Sequence, residues 1–312
     1  MTFLNLLSRM PAAVAQGILW GLMALGVYIT FRILDIADLS VDGTFALGGA
    51  VSVMAIIGGL PAWFALILAI LAGIVAGFCT GLLHTKLGIP AILAGILTQF
   101  ALYSINLRIM GMKSNQTASL KNYGMVFENG KGFIISSRYV TPAIIAGIII
   151  AGIIITILYW YFGTERGSAV RATGSNPAMS AAQGINIKNM KMLGLAISNG
   201  MVALSGALMT QFQGTADVNM GRGAIVIGLA AIVIGEVICD ALFSKGANFA
   251  VKLSFVVLGG IIYYIVMTVI LWMKLDPNDL KLFTAIIVAI FLAIPYLKNQ
   301  AKTSFARARR HE

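Results

Sequence analysis

The 312-residue sequence is poor in charge, because Asp, Glu, Lys and Arg together make up only 11% of it. A soluble domain carries about a quarter of such residues, so this deficit excludes the ordinary soluble classes. Hydrophobic residues make up 59% of the chain, and the 34 glycines among them suit membrane helices, where glycine allows close helix contact. The composition therefore predicts an all-α integral membrane protein.

Cysteine and histidine are also scarce. The two cysteines, Cys79 and Cys239, lie in separate apolar runs, and the two histidines are His84 and His311. This spacing predicts neither a disulfide framework nor a metal site. There is no phosphate-binding GxxxxGK(S/T) loop, so the chain is not expected to hydrolyse ATP or to hold a cofactor itself. No serine and histidine are placed for nucleophilic catalysis, and no catalytic residue is predicted.

Long apolar segments occupy most of the chain. A helix needs about 20 apolar residues to cross the hydrocarbon of a bilayer. Nine segments approach this length, namely 12–31, 41–58, 61–83, 90–110, 141–162, 191–213, 224–243, 247–272 and 279–297. The run that follows Arg9 is too long and too rich in glycine for the core of a cleavable signal peptide. We expect one transmembrane domain over residues 1–312, with about eight spanning helices and one discontinuous or re-entrant segment.

Lysine and arginine near the helix ends predict the orientation, because these residues are retained on the cytoplasmic side. The C-terminal tail is therefore expected to be cytoplasmic, since it carries Lys298, Lys302, Arg307, Arg309 and Arg310. Counting back along the segments places the polar loop 163–190 in the cytoplasm and the loop 111–140 outside. The net charge of +11 thus reflects topology rather than binding to nucleic acid.

The stretch 34–44, LDIADLSVDGT, breaks the apolar pattern after the first helix. Broken backbone within the membrane is tolerated where it lines a cavity, and an ordinary cytoplasmic loop is the alternative. If the segment 41–58 dips in and returns, the N-terminus lies with Arg9 in the cytoplasm, which we expect. If the segment crosses fully, the N-terminus lies outside.

Polar residues of this break, with two amides on one face of the segment 90–110, are candidates for a translocation pathway. These candidates are Asp35, Asp38, Ser40, Asp42, Gly43, Thr44, Gln99 and Asn106. Carboxylates at membrane depth are costly and usually functional. They can hold a broken helix by accepting backbone N–H bonds, which we favour, particularly for Asp42, or they can meet the ammonium group of an amino acid. Gln99 and Asn106 can instead join helices by hydrogen bonds.

Glu236 lies in a later apolar run. It either lies beside the pathway or near a partner ATPase, or, as we favour, it reaches the membrane interface or pairs with Lys245.

Residues 163–190 read GTERGSAVRATGSNPAMSAAQGINIKNM. Asn176 is a good N-cap, Pro177 suits the first helical position and Gly184 is a natural C-cap, so a short helix of about two turns is expected. Its narrow surface, formed by Ser180, Ala181 and Ala182, suits docking into a groove of another protein. A helix lying on the membrane is the alternative, but this segment lacks the bulky apolar face that such helices need.

This loop resembles the cytoplasmic coupling segment of permeases in the branched-chain amino acid and ribose importer family of ABC transporters. The resemblance is carried by Glu165-Arg166-Gly167, Arg171-Ala172, Gly174, Asn176 and Gly184-Ile185. In that family the segment docks on the ATPase subunit, and Ser180 stands where alanine is usual. The resemblance implies an ATPase-coupling site made of Glu165, Arg166, Arg171, Gly174, Asn176, Pro177, Ser180, Ala181 and Gly184.

The break at 34–44 also resembles the corresponding segment of this family. Asp38-Leu39-Ser40-Val41 occurs in its sugar permeases, which continue directly to glycine, whereas here Asp42 intervenes before Gly43. The form LSVDGT resembles a subgroup associated with import of aromatic amino acids, tryptophan or tyrosine, with a lipoprotein-type binding protein.

The resemblance implies a multi-pass permease of a bacterial inner membrane. It implies a homodimer that works with ATPase chains, which hold the ATP and Mg, and with an external binding protein that delivers an aromatic or branched-chain amino acid. The alternatives are an ABC permease for a sugar or nucleoside, an ion-coupled secondary transporter and a polytopic membrane enzyme.

Overall fold

The computed structural model describes residues 3–118, 124, 133–243 and 246–272, and residues 282, 285, 286, 289, 290 and 293 of the part that follows. The helices are α1 (Phe3–Tyr28, continued by a π-helical turn, Ile29–Ile33), α2 (Val41–Ile57), α3 (Ala62–Thr85), α4 (Ala91–Ile109), α5 (Val140–Gly163), α6 (Glu165–Ser175), α7 (Pro177–Ala182), α8 (Ile187–Gln213), α9 (Ala224–Leu242) and α10 (Phe249–Trp272). Two short strands are β1 (Asn115–Thr117) and β2 (Thr215–Asp217).

The predicted fold class is confirmed, because the chain is an all-α integral membrane protein. Seven of the described helices are long and apolar enough to cross a membrane, and α2 is a shorter apolar helix. Eight of the nine predicted segments correspond to these helices. Most of the ninth, 279–297, lies outside the described residues.

Helices α1 and α8 form the centre of the bundle. The most apolar stretches of α1 and α8 are 83% and 78% buried, whereas that of α5 is 22% buried. Helix α8 packs against α1, α2 and α3, while α9 and α10 pack together and against α1. The outer helices expose large apolar side chains such as Phe78, Leu97 and Ile148. Such faces suit contact with lipid, so the bundle is built around two inner helices.

The helix directions follow from side-chain contacts. Ser198 and Ser205 of α8 donate hydrogen bonds of 2.7 Å to the carbonyl oxygens of Gly26 and Leu19, respectively. Rising numbers in α8 thus meet falling numbers in α1, and the two helices are antiparallel. Helix α2 runs parallel to α8, because its residues 44 and 52 bond to residues 199 and 211 of α8.

The two ends of the bundle are distinct. The strand end holds β1 and β2, which pair antiparallel with Gln116 opposite Ala216, and it contains the start of α1 and the end of α8. The helix-pair end holds α6, α7, the start of α8 and the turn after α3. The described residues of the loop 111–140 lie at the strand end, opposite 163–190, as predicted.

The N-terminus and the loop 163–190 were predicted to lie on the same side of the membrane, and the structure separates them. Helix α1 begins at the strand end, whereas 163–190 lies at the helix-pair end, so the two cannot share the cytoplasmic side of a bundle that crosses the membrane. The segment 41–58 does not dip in and return. After α1 the chain turns back to mid-bundle, and α2 then continues to the strand end. The antiparallel packing of α1 against α8 fixes this arrangement.

Two glycines allow α2 and α8 to approach closely. A Cβ atom at Gly48 would overlap the backbone of Ala203, and one at Gly206 would overlap the carbonyl oxygen of Phe45. Close helix contact through small residues is the usual means of association in membranes. It brings the start of α2 against the middle of α8, where the polar residues of the break are held.

Candidate functional site

The break before α2 is held by a buried cluster of four polar side chains. Asp38, Ser40, Thr44 and Asn199 are each at most 2% exposed. The Oδ1 of Asp38 accepts hydrogen bonds from the backbone N–H (2.9 Å) and the Oγ (2.6 Å) of Ser40, while its Oδ2 accepts one from Asn199 Nδ2 (2.8 Å). Thr44 Oγ1 donates to Asn199 Oδ1 at 2.6 Å. These bonds satisfy a carboxylate that would otherwise be costly to bury.

Asn199 places this cluster at mid-depth. It lies near the middle of the 27-residue helix α8, and sequence reasoning missed it. The available signal was an amide in the middle of a long apolar run. Ser40 occupies the N-cap position of α2, but its side chain bonds Asp38 and Asn199 instead of capping the helix. The favoured structural role of Asp38 therefore matches the geometry.

Asp42 caps a helix other than its own. It lies in the first turn of α2, yet its carboxylate accepts backbone hydrogen bonds from Gly223 (2.9 Å) and Ile225 (3.1 Å) at the start of α9. The N-terminus of a helix carries partial positive charge, which an anion stabilises. Helices α2 and α9 thus begin beside one carboxylate within the bundle.

A cavity of about 370 Å³ opens beside this cap. Asp42, Gly43, Gln99 and Asn106, four of the predicted pathway residues, line it. The rest of its wall is formed by Phe100, Tyr103, Val218 and Arg222, which sequence reasoning did not single out. The structure therefore brings the break and the two amides of α4 to one cavity.

The other predicted pathway residues lie elsewhere. Asp38, Ser40 and Thr44 form the buried cluster behind the cavity. Asp35 is exposed near α6 and adopts a left-handed φ of +54°, a conformation that aspartate tolerates better than most residues. It is separated from Asp38 and Asp42, so its prediction as a pathway residue is not supported by its position.

Helix α6 is anchored to the bundle. Val170 and Thr173 are fully buried, and a Cβ atom at Gly174 would overlap the carbonyl oxygen of Ile33 in the π-helical turn. Arg171 places its guanidinium 6.0 Å from the ring centre of Phe249 in α10. Of the predicted coupling residues, Gly174 thus serves packing, and Arg171 joins α6 to α10.

Helix α7 has the predicted caps. Asn176 Oδ1 accepts a hydrogen bond of 3.0 Å from the N–H of Met179, Pro177 occupies the first turn, and Gly184 follows the helix at φ +81°. Glu165 and Arg166 are exposed at the start of α6.

The surface of α7 differs from the prediction. Ser180 is buried, and its hydroxyl bonds the carbonyl oxygen of Asn176, so it does not face outward. The exposed surface, called the α7 face below, consists of Ala178, Met179, Ala181 and Ala182.

A salt bridge joins α1 to α9 near the helix-pair end. Arg32 Nε and Nη2 contact the two carboxylate oxygens of Glu236 at 2.7 and 2.8 Å. The predicted partner Lys245 lies outside the described residues. Within the described part of the chain, no group of three or more His, Cys, Asp or Glu side chains is placed to hold a metal ion.

The sequence matches one family model and is similar to several known proteins. The family model described as "Branched-chain amino acid transport system / permease component" matches residues 10–295. The chain is 37% identical over 301 residues to the tyrosine transport system permease protein of Clostridioides difficile (strain R20291), covering 96% of each. It is 36% identical over 283 residues to an uncharacterized protein of Rickettsia prowazekii (strain Madrid E), covering 90% of this chain and 95% of that one.

More distant similarity extends to a sugar permease and to a solved structure. The ribose import permease protein RbsC of Haemophilus influenzae is 26% identical over 216 residues, which cover 69% of this chain and 64% of that one. PsaBC from Streptococcus pneumoniae, solved in complex with Fab, shares the fold with a TM-score of 0.52 and 14% identity, covering 96% of this chain and 100% of that chain.

Proposed function

The chain belongs to the permease family of the branched-chain amino acid transport systems, and from that premise we propose that it is the membrane subunit of an ATP-driven importer. ATP is hydrolysed by a separate ATPase chain that docks on the α7 face. A binding protein delivers the solute at the strand end. Two copies of the chain form the translocation unit, as the family architecture implies.

The exposed α7 face on an anchored α6 is the observation that carries this proposal. Three of its four side chains are alanine, which lets another protein approach closely, while α6 is fixed to the π-helical turn of α1 through Gly174. That turn leads directly into the break that holds Asp38. A movement imposed on α7 is therefore conducted through packed backbone to the middle of the bundle, because closely packed elements move together.

The proposal also assigns an orientation in a bacterial inner membrane. The helix-pair end is cytoplasmic because ATP is there, and the start of α1 and both strands are external. The basic C-terminal residues, including Lys298 and Arg307, lie in the cytoplasm, in keeping with the retention of positive charge on that side.

The proposed solute is an amino acid, with tyrosine first in order. The relative that is 37% identical carries the name of a tyrosine transport permease, and LSVDGT departs from the sugar permeases by its Asp42. A sugar is the second candidate, because a ribose permease is among the relatives.

Copurification tests the proposed docking surface. Candidate ATPase chains from the same genome are coexpressed with the wild type and with Ala181→Trp, which places a bulky ring on the α7 face. We expect the variant to lose copurification and stimulation of ATP hydrolysis. Ser114→Trp, at an exposed position of the strand end, is the matched control and should keep both. Full association of the Ala181→Trp variant would refute the docking surface.

Energy coupling is tested by uptake in cells. Depletion of ATP should abolish uptake, and an ionophore that preserves ATP should leave it unchanged. The reverse pattern would identify an ion-coupled carrier.

A further inference from the structure

The cavity beside Asp42 carries chemistry that matches a particular class of solute. We propose that it binds an α-amino acid as a zwitterion, with Arg222 holding the carboxylate, the amides of α4 receiving the ammonium group and the aromatic residues of α4 contacting the side chain. This inference rests on the proposed function and adds to it a binding site and a recognition chemistry.

Arg222 provides a cation at the wall of this cavity. Its side chain is exposed and lines the cavity. Among the described residues, no carboxylate lies within 4.0 Å of its guanidinium. The neighbouring carboxylate of Asp42 is instead engaged by the N–H groups of Gly223 and Ile225. A guanidinium binds a carboxylate through two parallel hydrogen bonds, so Arg222 is available for the carboxylate of a solute.

Asn106 provides a buried hydrogen-bond acceptor, its side-chain oxygen Oδ1. Its side chain is 1% exposed, and its Nδ2 donates to the carbonyl oxygen of Gly43 at 3.2 Å. This bond fixes the direction of the amide, because a flipped amide would set two oxygens against each other. Its Oδ1 is then buried and has no hydrogen-bond partner within the described part of the chain. A buried acceptor without a partner is unfavourable, and an ammonium group is a suitable donor.

Gln99 and Asp42 extend the same polar wall. Gln99 is half-buried one turn of α4 from Tyr103 and two turns from Asn106, and it lines the cavity. Asp42 also lines the cavity, and its carboxyl oxygens keep lone pairs beyond the backbone bonds that they accept. The acceptor oxygens of Asp42, Gln99 and Asn106 suit a cationic donor, while the guanidinium of Arg222 suits an anion. Together they match the charge pattern of a zwitterion.

The apolar wall comes from two aromatic residues. Phe100 and Tyr103 are three residues apart on one face of α4, 72% and 43% exposed, and both line the cavity. The volume of about 370 Å³ falls in the range of small-molecule sites. A ring on the solute would pack against these two residues, which favours aromatic over short side chains.

The same groups argue against a sugar. A ribose molecule has hydroxyl groups but no carboxylate, so it would leave the guanidinium of Arg222 without an anionic partner. An amino acid pairs both charges, and a site built to bind a polar group discriminates strongly against an analogue that lacks it.

Binding measurements on the purified permease in lipid nanodiscs test this site. Saturation-transfer NMR titrations, which suit weak ligands, compare L-tyrosine, tyramine (which lacks the carboxylate) and D-ribose. We expect L-tyrosine to bind roughly tenfold or more tightly than tyramine, in line with a charge-assisted bidentate pair. Ribose should give no saturable signal.

The variant Arg222→Met should lower the affinity for L-tyrosine to that for tyramine and leave tyramine unchanged. Arg138→Met, an exposed arginine at the strand end, is the matched control and should bind as the wild type. Arg222→Lys keeps the charge without the bidentate geometry and should fall between. If Arg222→Met elutes as aggregate, Arg222→Lys still tests the role of the guanidinium.

Several results would overturn the site: equal loss of L-tyrosine and tyramine binding in Arg222→Met, a preference for ribose, or no tyrosine signal from the wild type. Uptake in cells separates the two proposals. ATP-dependent tyrosine uptake that is normal in Arg222→Met leaves the importer function intact and refutes the site. ATP-independent uptake refutes the importer itself.

Discussion

Asn199, in the middle of α8, donates a hydrogen bond of 2.8 Å to the carboxylate of Asp38, 161 residues earlier in the chain. The central helix thereby fixes the irregular backbone from which α2 starts. Both side chains are buried, so no water replaces the bond when it is removed. The stability of the break and that of the bundle are thus linked at this pair.

Replacement of Asn199 by Leu should destabilise the protein strongly. The change removes a donor to a buried carboxylate and an acceptor from Thr44, and the expected loss is about 3 kcal/mol. Thermal unfolding followed by size-exclusion chromatography measures it. Asn189→Leu, at an exposed position in the first turn of α8, is the control and should change stability by at most about 0.5 kcal/mol. Equal effects of the two would contradict the assigned role of the pair.

Asp42→Asn should weaken the cap of α9. An amide has one acceptor oxygen where the carboxylate has two, and it lacks the charge that stabilises a helix N-terminus, so a loss of about 1–2 kcal/mol is expected. Differential scanning fluorimetry provides the comparison. Asp217→Asn changes a carboxylate that accepts one bond from Asn219 in an exposed turn, and it should have a smaller effect. A neutral result at Asp42 would mean that water or other groups replace its bonds.

Gly174→Ala should weaken the packing of α6 against the π-helical turn of α1. The added methyl group would overlap the carbonyl oxygen of Ile33, which belongs to the backbone and cannot turn aside, and overpacking of this kind costs about 1–3 kcal/mol. Gly163→Ala, where nothing lies within 4 Å of the added atom, should be neutral or slightly stabilising. Melting temperatures of the two variants test the contrast. If Gly174→Ala is as stable as Gly163→Ala, the contact is looser than described.

The pair Arg32 and Glu236 should show a small coupling energy. Their side chains are 54% and 23% exposed, so solvent screens the bidentate pair, and a double-mutant cycle of Arg32→Gln and Glu236→Gln should give about 0.5–1 kcal/mol. The coupling should fall as the salt concentration rises. Strict additivity of the single changes would show that the ion pair contributes nothing to stability.

Local features of the sequence predicted local structure well. Asn176, Pro177 and Gly184 act within a few residues of themselves, so the caps of α7 were readable from their spacing. The periodicity of a short helix does not decide which side faces the bundle, and Ser180 was therefore placed on the wrong surface. Apolar run length predicted the spanning helices for the same reason, because it depends on no distant partner.

Partners distant in sequence were not predictable. Asn199 joins Asp38, and Arg32 joins Glu236 across 204 residues, through packing that no local pattern encodes. The start of α1 was predicted on the same side as 163–190, because the acidic break indicated that the segment 41–58 dips in and returns. Packing of α1 against α8, which lies far away in sequence, places it at the other end. Asp42, Gln99 and Asn106, which were singled out as polar groups in apolar surroundings, line one cavity, whereas Asp35 shares that feature and lies elsewhere.

The central position of α8 has a consequence for biosynthesis. A ribosome makes the chain from its N-terminus, so α1, α2 and α3 enter the membrane before residue 187 is synthesised. Until α8 has been inserted, the carboxylate of Asp38 lacks its amide donor, and the face of α2 at Gly48 has no helix packed against it. The first half of the protein therefore reaches its final packing only after a helix encoded in the second half has been made.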